Sequence, residues 1–192
     1  MITAIIMASG YSKRMGENKL TLTINGIPVI ERVIRSIVAS NVDEVILVYR
    51  DIEVKNIGNP YGIKCVYNEN AYKGQSESIR LGINNSNKDT GGYMFLVGDQ
   101  PFLTSNTINR LTVIFSKDNS GIICPRYDGD RGNPVIFHAK YKDALLKLKG
   151  DNGGREIIRK NTEDIRFVDI KEKILGTDMD TKEEYNRIKK WR

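Results

Sequence analysis

The side chains able to do chemistry lie at the ends of short apolar runs. Directly after the first run comes the loop Ala8-Ser9-Gly10-Tyr11-Ser12-Lys13-Arg14-Met15-Gly16-Glu17-Asn18-Lys19. Small residues let its backbone amides approach phosphate oxygens, and Arg14 and Lys19 supply positive charge, so the segment has the makings of a triphosphate cradle. It is neither a GxxxxGK[ST] loop nor a GxGxxG dinucleotide fingerprint. A second run ends in Gly98-Asp99-Gln100-Pro101. There Asp99 can offer oxygen ligands to Mg²⁺, a cation usually shared with substrate phosphates. Near the other end, Asp178 and Asp180 alternate before a helix, and either or both can reach the same metal. Each of these segments also has a plain structural reading, as loop, turn or helix-terminus acid.

Three further polar segments precede regular elements. Tyr72-Lys73-Gly74-Gln75-Ser76-Glu77-Ser78 enters a helix whose amides can meet a phosphate or a base edge, although hydroxyl-rich helix starts are also ordinary caps. Asp128 to Pro134 leads into a strand, and Gly150 to Arg155 leads into a helix. His138 is the only histidine and stands at a strand end without a Ser or Cys partner, which argues against a Ser-His-Asp hydrolase.

The elements that must position these groups alternate. Apolar, β-rich runs at Thr3 to Met7, Glu44 to Tyr49, Lys64 to Tyr67, Tyr93 to Val97, Gly121 to Cys124, Pro134 to Phe137 and Ile165 to Val168 are bounded by turn residues. Between them, Val29, Ile30, Val33, Ile34, Ile37 and Val38 form one helical stripe, with Pro28 at the first turn. Further helices are expected over Gln75 to Asn84, Asn106 to Phe115 and Tyr141 to Leu148, and a last one from Thr181, capped reciprocally with Glu184. Alternation of this kind predicts an α/β fold: a single Rossmann-like domain over residues 1–192, its mostly parallel sheet covered by helices on both faces and its ligands at the carboxyl ends of the strands.

Composition narrows the class. With 192 residues, 40% hydrophobic and 28% charged, the chain can bury one substantial core. No run can span a bilayer, and the opening ITAIIMASG reads as a buried strand, being too short for a signal peptide. The net charge of +6 is dispersed, which suits a phosphate-rich small substrate better than nucleic acid. At the C-terminus, Arg187, Lys189, Lys190 and Arg192 complement a helix dipole. Cys65 and Cys124 are expected as two buried thiols in a reducing, cytoplasmic setting.

MASGYSKRMGENK resembles the LAAGxSxRMGxxK signature of the molybdenum cofactor cytidylyltransferases, a branch of the nucleotidyltransferases that also include the guanylyltransferase of that pathway. GQSESIRLGI is similar to the second nucleotide motif and FLVGDQP to the metal-binding strand end. GNPVIF and GDNGGR resemble two acceptor-side motifs, and GTDMDTKEEY resembles the closing DIDTPEDL. Six motifs thus occur in order along the whole chain. The resemblance implies Mg²⁺-dependent transfer of CMP from CTP to the terminal phosphate of a molybdopterin-type acceptor, with a molybdenum hydroxylase as eventual recipient. It implies that Ala8, Ser9 and Gly10 line the base and sugar, that Arg14 and Lys19 bind the triphosphate, and that Gly74 and Ser78 complete base recognition. Asp99 and Asp180 would hold Mg²⁺, while Gly132, Pro134, Asp151 and Arg155 would face the acceptor.

Departures from the signature are Ser9, where the cytidylyl branch commonly has Ala and the guanylyl branch Gly, and Lys182 and Glu184 in the closing motif. A hydroxymethyl at Ser9 crowds a purine more than a pyrimidine. The competing expectations are a guanylyltransferase, a transferase acting on a sugar or isoprenoid phosphate, and a non-catalytic accessory protein for molybdenum hydroxylases.

Overall fold

The computed structural model describes residues 1–12, 14–118 and 121–189; Lys13 of the first loop and Lys190 and Arg192 of the basic cluster lie outside them. In chain order the elements are β1 (Ile2–Ala8), β2 (Thr23–Ile24), β3 (Ile27–Pro28), α1 (Val29–Val38), β4 (Glu44–Tyr49), α2 (Ile52–Gly58), β5 (Lys64–Tyr67), α3 (Gln75–Asn85), β6 (Gly92–Val97) and α4 (Ser105–Lys117), followed by β7 (Ile122–Tyr127), β8 (Asp130–Arg131), β9 (Val135–His138), α5 (Lys142–Leu146), α6 (Arg155–Lys160), β10 (Ile165–Ile170) and α7 (Lys182–Ile188). One sheet runs β10-β7-β9-β6-β1-β4-β5, with β8 hairpinned onto β7; β2 and β3 form a separate antiparallel pair.

β1 is apolar apart from Thr3, whose buried hydroxyl is bonded to Glu44 and Thr90, because both of its faces are covered. Ile2, Ala4, Ile6 and Ala8 point to a core shared with α1, α2 and α4, through Ile30, Val33, Ile34, Ile37, Val54, Ile108 and Leu111. Ile5 points to the opposite core, built with α3, α5 and α6 through Ile79, Ile83, Leu145, Ile157 and Ile158. This is the expected single-domain α/β architecture with helices on both faces. Parallel pairing joins β1 to β4 and β6, β4 to β5, and β7 to β10. The exceptions are β9, which runs antiparallel between β6 and β7, and the two-residue β8, antiparallel to β7. Pro28 is the N-cap of α1 and pairs in β3, just ahead of the helical turn expected to contain it.

Because the chain winds from β1 outward to β4 and β5 and then returns to β6 on the other side of β1, the sheet reverses its winding between β1 and β6. A crevice opens at the carboxyl ends of strands at such a switch point. The loops bearing Ser9 to Lys19 and Asp99 leave β1 and β6 at this place.

The two thiols are free and lie on opposite faces of the sheet, where Cys65 packs with one core and Cys124 belongs to the other. Cys124 is buried as expected, and burial pushes its thiol up to about 11; Cys65 is only half-buried because β5 is an edge strand. His138, at the exposed end of β9, accepts a hydrogen bond at Nδ1 from the Lys140 amide at 3.1 Å. No helix among the described residues is long and apolar enough to cross a membrane.

Asp164 ties the β10 edge to the rest of the sheet. It accepts hydrogen bonds from the Gly121 amide at 2.9 Å and the Tyr141 hydroxyl at 2.5 Å, and pairs with Lys140 at 2.7 Å. Burial alone would raise its pKa, but these three donors outweigh it and hold the carboxyl below its ordinary value. A depressed acid stabilises the fold above its ordinary pKa, and that stability is lost as pH falls through the folded value. Asp164→Ala is therefore expected to lower Tm at pH 7 by about 4–8 °C, from lost charge-assisted hydrogen bonds worth roughly 2 kcal/mol in total. Thermal melts should show the gap to the native protein closing below about pH 4, the ordinary range of an aspartate; a gap unchanged at pH 3 would contradict this origin.

Candidate active site

The loop after β1 is held by its own polar and apolar contacts. Ser12 accepts the Lys19 amide at Oγ and the Met15 amide at its carbonyl, while the Asn18 side chain accepts the Leu20 amide and donates to Asp51, the N-cap of α2. Met15 is buried in a third, smaller core with Ile24, Val29, Met179 and Ile188. That core brings the first loop against the C-terminal segment, although more than 160 residues of sequence separate them. The Met179 amide also donates to the Asp99 carbonyl at 2.9 Å, so the loops carrying Asp99 and Asp180 are joined through backbone. α7 follows, with the reciprocal Thr181–Glu184 cap that its sequence predicts.

These constraints bring four charges together. The Lys19 ammonium stands between Asp99 and Asp180, 2.7 Å from Oδ1 of Asp180, and Arg14 reaches the other oxygen of Asp180 at 2.7 Å. Lys19 and Asp99 are largely enclosed, each with 15% of its side chain exposed, whereas Arg14 is 67% exposed. Burial would lower the Lys19 pKa, but the charge of Asp99 and the hydrogen bonds to both carboxylates raise it, so the ammonium stays protonated. Burial also opposes ionisation of Asp180, and Lys19 and then Arg14 overcome it, holding that carboxyl low.

Asp178 stands behind this group. As a residue it is exposed, yet its carboxyl end is crowded and accepts from Gln100 Nε2 at 2.8 Å. Burial, followed by the like charge of Asp99, pushes it up to about 6.

A cleft of about 730 Å³ opens over these charges. Ser9, Gly10, Arg14, Lys19, Gly74, Ser78, Asp99, Asp151 and Asp180 all line it. Ser9 and Ser78 are nearly buried and hydrogen-bonded to each other at 2.7 Å. Gly74 has φ +100°, and a Cβ there would lie 2.4 Å from the Gly150 carbonyl carbon, so only glycine lets the two loops meet. Across that contact Gly150 accepts the Ser76 amide, and Asp151 accepts the Gln75 amide, serving the first turn of α3.

Four expected residues lie elsewhere. Ala8 is 3% exposed and points into the core beneath the cleft. Gly132 backs onto the Tyr127 ring, where a Cβ would come within 2.7 Å, and Pro134 follows a cis peptide bond at the start of β9. Both shape the turn that lets β9 enter the sheet antiparallel. Arg155 lines a separate groove with Arg131, Arg159, Asn152 and Phe167. The residue missed was Asn68, fully buried beneath Ser9 and Ser78; its place in the polar run Asn68-Glu69-Asn70 carried the signal of a loop and nothing more.

The carboxylates suit a hard cation. Oδ2 of Asp99 meets Lys19, while its Oδ1 is buried and has no hydrogen-bond partner among the described residues, which leaves one carboxylate oxygen unused. Among the described residues no group of three or more His, Cys, Asp or Glu side chains could enclose a metal by itself. A pair of carboxylates that leaves the remaining positions to water and phosphate is the pattern Mg²⁺ favours.

Comparison with known proteins identifies the family. The chain is 26% identical over 200 residues to purine catabolism protein PucB of Bacillus subtilis, covering 98% of this chain and 96% of that one. It is 30% identical over 190 residues to a probable molybdenum cofactor guanylyltransferase of Methanosarcina acetivorans, covering 92% and 81%. Its fold superimposes on the crystal structure of Rv0371c from Mycobacterium tuberculosis with a TM-score of 0.85 at 23% identity, covering 99% and 98%; that protein has also been solved in complex with manganese. The description of the MobA-like NTP transferase domain matches residues 4–165, and the chain belongs to that nucleotidyltransferase family.

Proposed function

We propose that this protein transfers CMP from CTP to the terminal phosphate of a molybdopterin-type acceptor and releases pyrophosphate. The observation that carries the reading is the meeting of Asp99, Asp180, Lys19 and Arg14 in one cleft with the Ser9–Ser78 pair, at the switch point of the sheet. The serines would meet the base, with Gly10 and Gly74 giving backbone access beside them. Arg14 and Lys19 would take the triphosphate, and Asp99 and Asp180 would hold Mg²⁺. Asp180 is favoured over Asp178 because it shares the cleft with Asp99.

An acceptor phosphate oxygen attacks the α-phosphorus of CTP in line, a new P–O–P link forms, and the α–β bridging bond breaks to expel pyrophosphate. No protein nucleophile is needed, because a phosphate monoester is already anionic near pH 7. Bound Mg²⁺ supplies charge neutralisation. The protein's share is positioning, together with fixed positive charge beside the oxygens on which negative charge builds. Of the acceptor-side residues, Asp151 faces the cleft, and the Arg155 groove offers positive charge for the more distant anionic parts of an acceptor. The two free thiols fit a reducing cytoplasm.

CTP is favoured by Ser9, a fixed side chain at a wall where a purine needs more room. GTP is the second reading, favoured by similarity to the Methanosarcina relative named as a probable guanylyltransferase. Pyrophosphate release with CTP or GTP, with and without Mg²⁺ and a molybdopterin-type acceptor, separates the two. The expected result is release that requires metal and acceptor and prefers CTP. Preference for GTP would reassign the base, release only with a sugar or isoprenoid phosphate would reassign the acceptor, and none with any combination would leave an accessory protein.

A further inference from the structure

The Ser9–Ser78 pair is one side of a triangle. Asn68 follows β5, where its amide donates to the Tyr49 carbonyl at 2.7 Å, and its side chain is fully buried. Its Nδ2 lies 3.0 Å from Ser9 Oγ and 3.2 Å from Ser78 Oγ, so the amide nitrogen donates to both hydroxyl oxygens through bent hydrogen bonds. The reverse orientation of the amide would leave two buried N–H groups orphaned in place of one carbonyl oxygen, and buried N–H groups are the less often abandoned.

Proton counting then fixes what the cleft sees. Two hydroxyls own two protons, and one is spent in the 2.7 Å bond between them. The serine that accepts it also accepts from Asn68, which fills both lone pairs and turns its own O–H outward. The other serine keeps one free lone pair. Among the described residues no other partner takes the outward O–H, and both serines line the cleft.

We infer that Asn68 is a positioning residue for nucleotide recognition: by donating to both Ser9 and Ser78, it forces their hydroxyls to present one O–H donor and one acceptor to the base. The inference rests on the transferase reading of this cleft. An amide is required because a carboxylate of the same shape would accept the spare proton and leave only lone pairs facing the base.

Titration calorimetry with CTP, GTP and CMP, on the full chain with Mg²⁺, tests it. Asn68→Asp is expected to raise the dissociation constant of the preferred nucleotide at least tenfold, and to weaken CTP and CMP by the same factor. Asn68→Ala, whose freed hydroxyls can still rotate to donate, should raise it only about two- to fourfold. The effect should fall on KM, with kcat at saturating nucleotide within threefold of wild type. In a Ser9→Ala/Ser78→Ala background, Asn68→Ala should change affinity less than twofold, a comparison that decides the matter even if the aspartate variant does not fold. Equal losses for Asp and Ala, a loss confined to the more highly charged CTP, or an undiminished effect of Asn68→Ala without the serines would each overturn the inference and leave the transferase reading standing. Wild-type protein that binds neither CTP nor GTP would overturn that reading too.

Discussion

Asp99→Asn lowers pyrophosphate release by at least about 10³-fold while Tm moves by no more than a few degrees. The substitution is isosteric and keeps Gly98-Asp99-Gln100-Pro101 in place, because the Asp99 carbonyl that receives the Met179 amide is unchanged. What it removes is a negative charge enclosed beside Lys19 and a buried oxygen free of other partners. A neutral amide is a poor ligand for a hard cation, so a metal-dependent step loses both the ion and the charge neutralisation it supplies. Stability is retained because Lys19 keeps Asp180 at 2.7 Å, so its ammonium is not left unpaired. Kinetics with Mg²⁺, together with Mn²⁺ binding followed by electron paramagnetic resonance in the presence of CTP, check the two parts separately. Turnover like that of the native protein would remove Asp99 from the proposed metal site, whatever happened to the fold.

The elements around this residue were legible because they depend on local pattern. β1 and β6 read as strands from unbroken apolar runs that end in glycine or small residues, and the Thr181–Glu184 cap was visible as a spacing. The ionic group was partly legible because Arg14, Lys19, Asp99 and Asp180 stand in loops flanking regular elements, the first three of them after apolar runs, where such sheets bind ligands. Each also had a plain reading as a loop or helix-terminus charge. Position in the sheet was not legible. Nothing in Val135 to His138 announces an antiparallel strand between two others, since pairing direction is set by the path of the chain and not by residue type. The same limit hid the surroundings of Gly132 and Pro134: the GNP run that resembles an acceptor-side motif lies outside the cleft lining, with Gly132 against the Tyr127 ring and Pro134 just ahead of β9. α2 escaped because its seven residues carry too short a periodic signal, and its cap is an aspartate, Asp51, that also serves Asn18. Asn68 escaped for the opposite reason. Its type is ordinary for a loop, and only burial against Ser78, ten residues on, and Ser9, 59 residues back, gives it meaning.

Lys19→Ala lowers kcat by about 10²–10³-fold, or roughly 3–4 kcal/mol of transition-state stabilisation, the usual scale for losing one fixed charge aimed at developing negative charge. Lys19 is suited to that role because Asp99 and Asp180 overcome its desolvation and keep it protonated across neutral pH. In the proposed function, Asp99 and Asp180 would hold a divalent cation that supplies positive charge there, and the Lys19 ammonium would then be available to the triphosphate. Lys19→Arg should recover only part of the loss, since a planar fork replaces a point charge in an enclosed position. The alanine variant carries a second signature that a purely structural lysine would not give. Lys19 is the cation between Asp99 and Asp180, and Arg14 is bonded to Asp180 alone. Without the ammonium, two carboxylates close enough to share it face each other across an enclosed gap, and their repulsion destabilises the fold until another cation neutralises it. In thermal melts the variant should therefore lose Tm in chelator and regain most of it with millimolar Mg²⁺, even without nucleotide, whereas the native protein should respond far less to the metal alone. Equal responses in the two proteins would mean that Lys19 and the divalent cation do not share those two carboxylates.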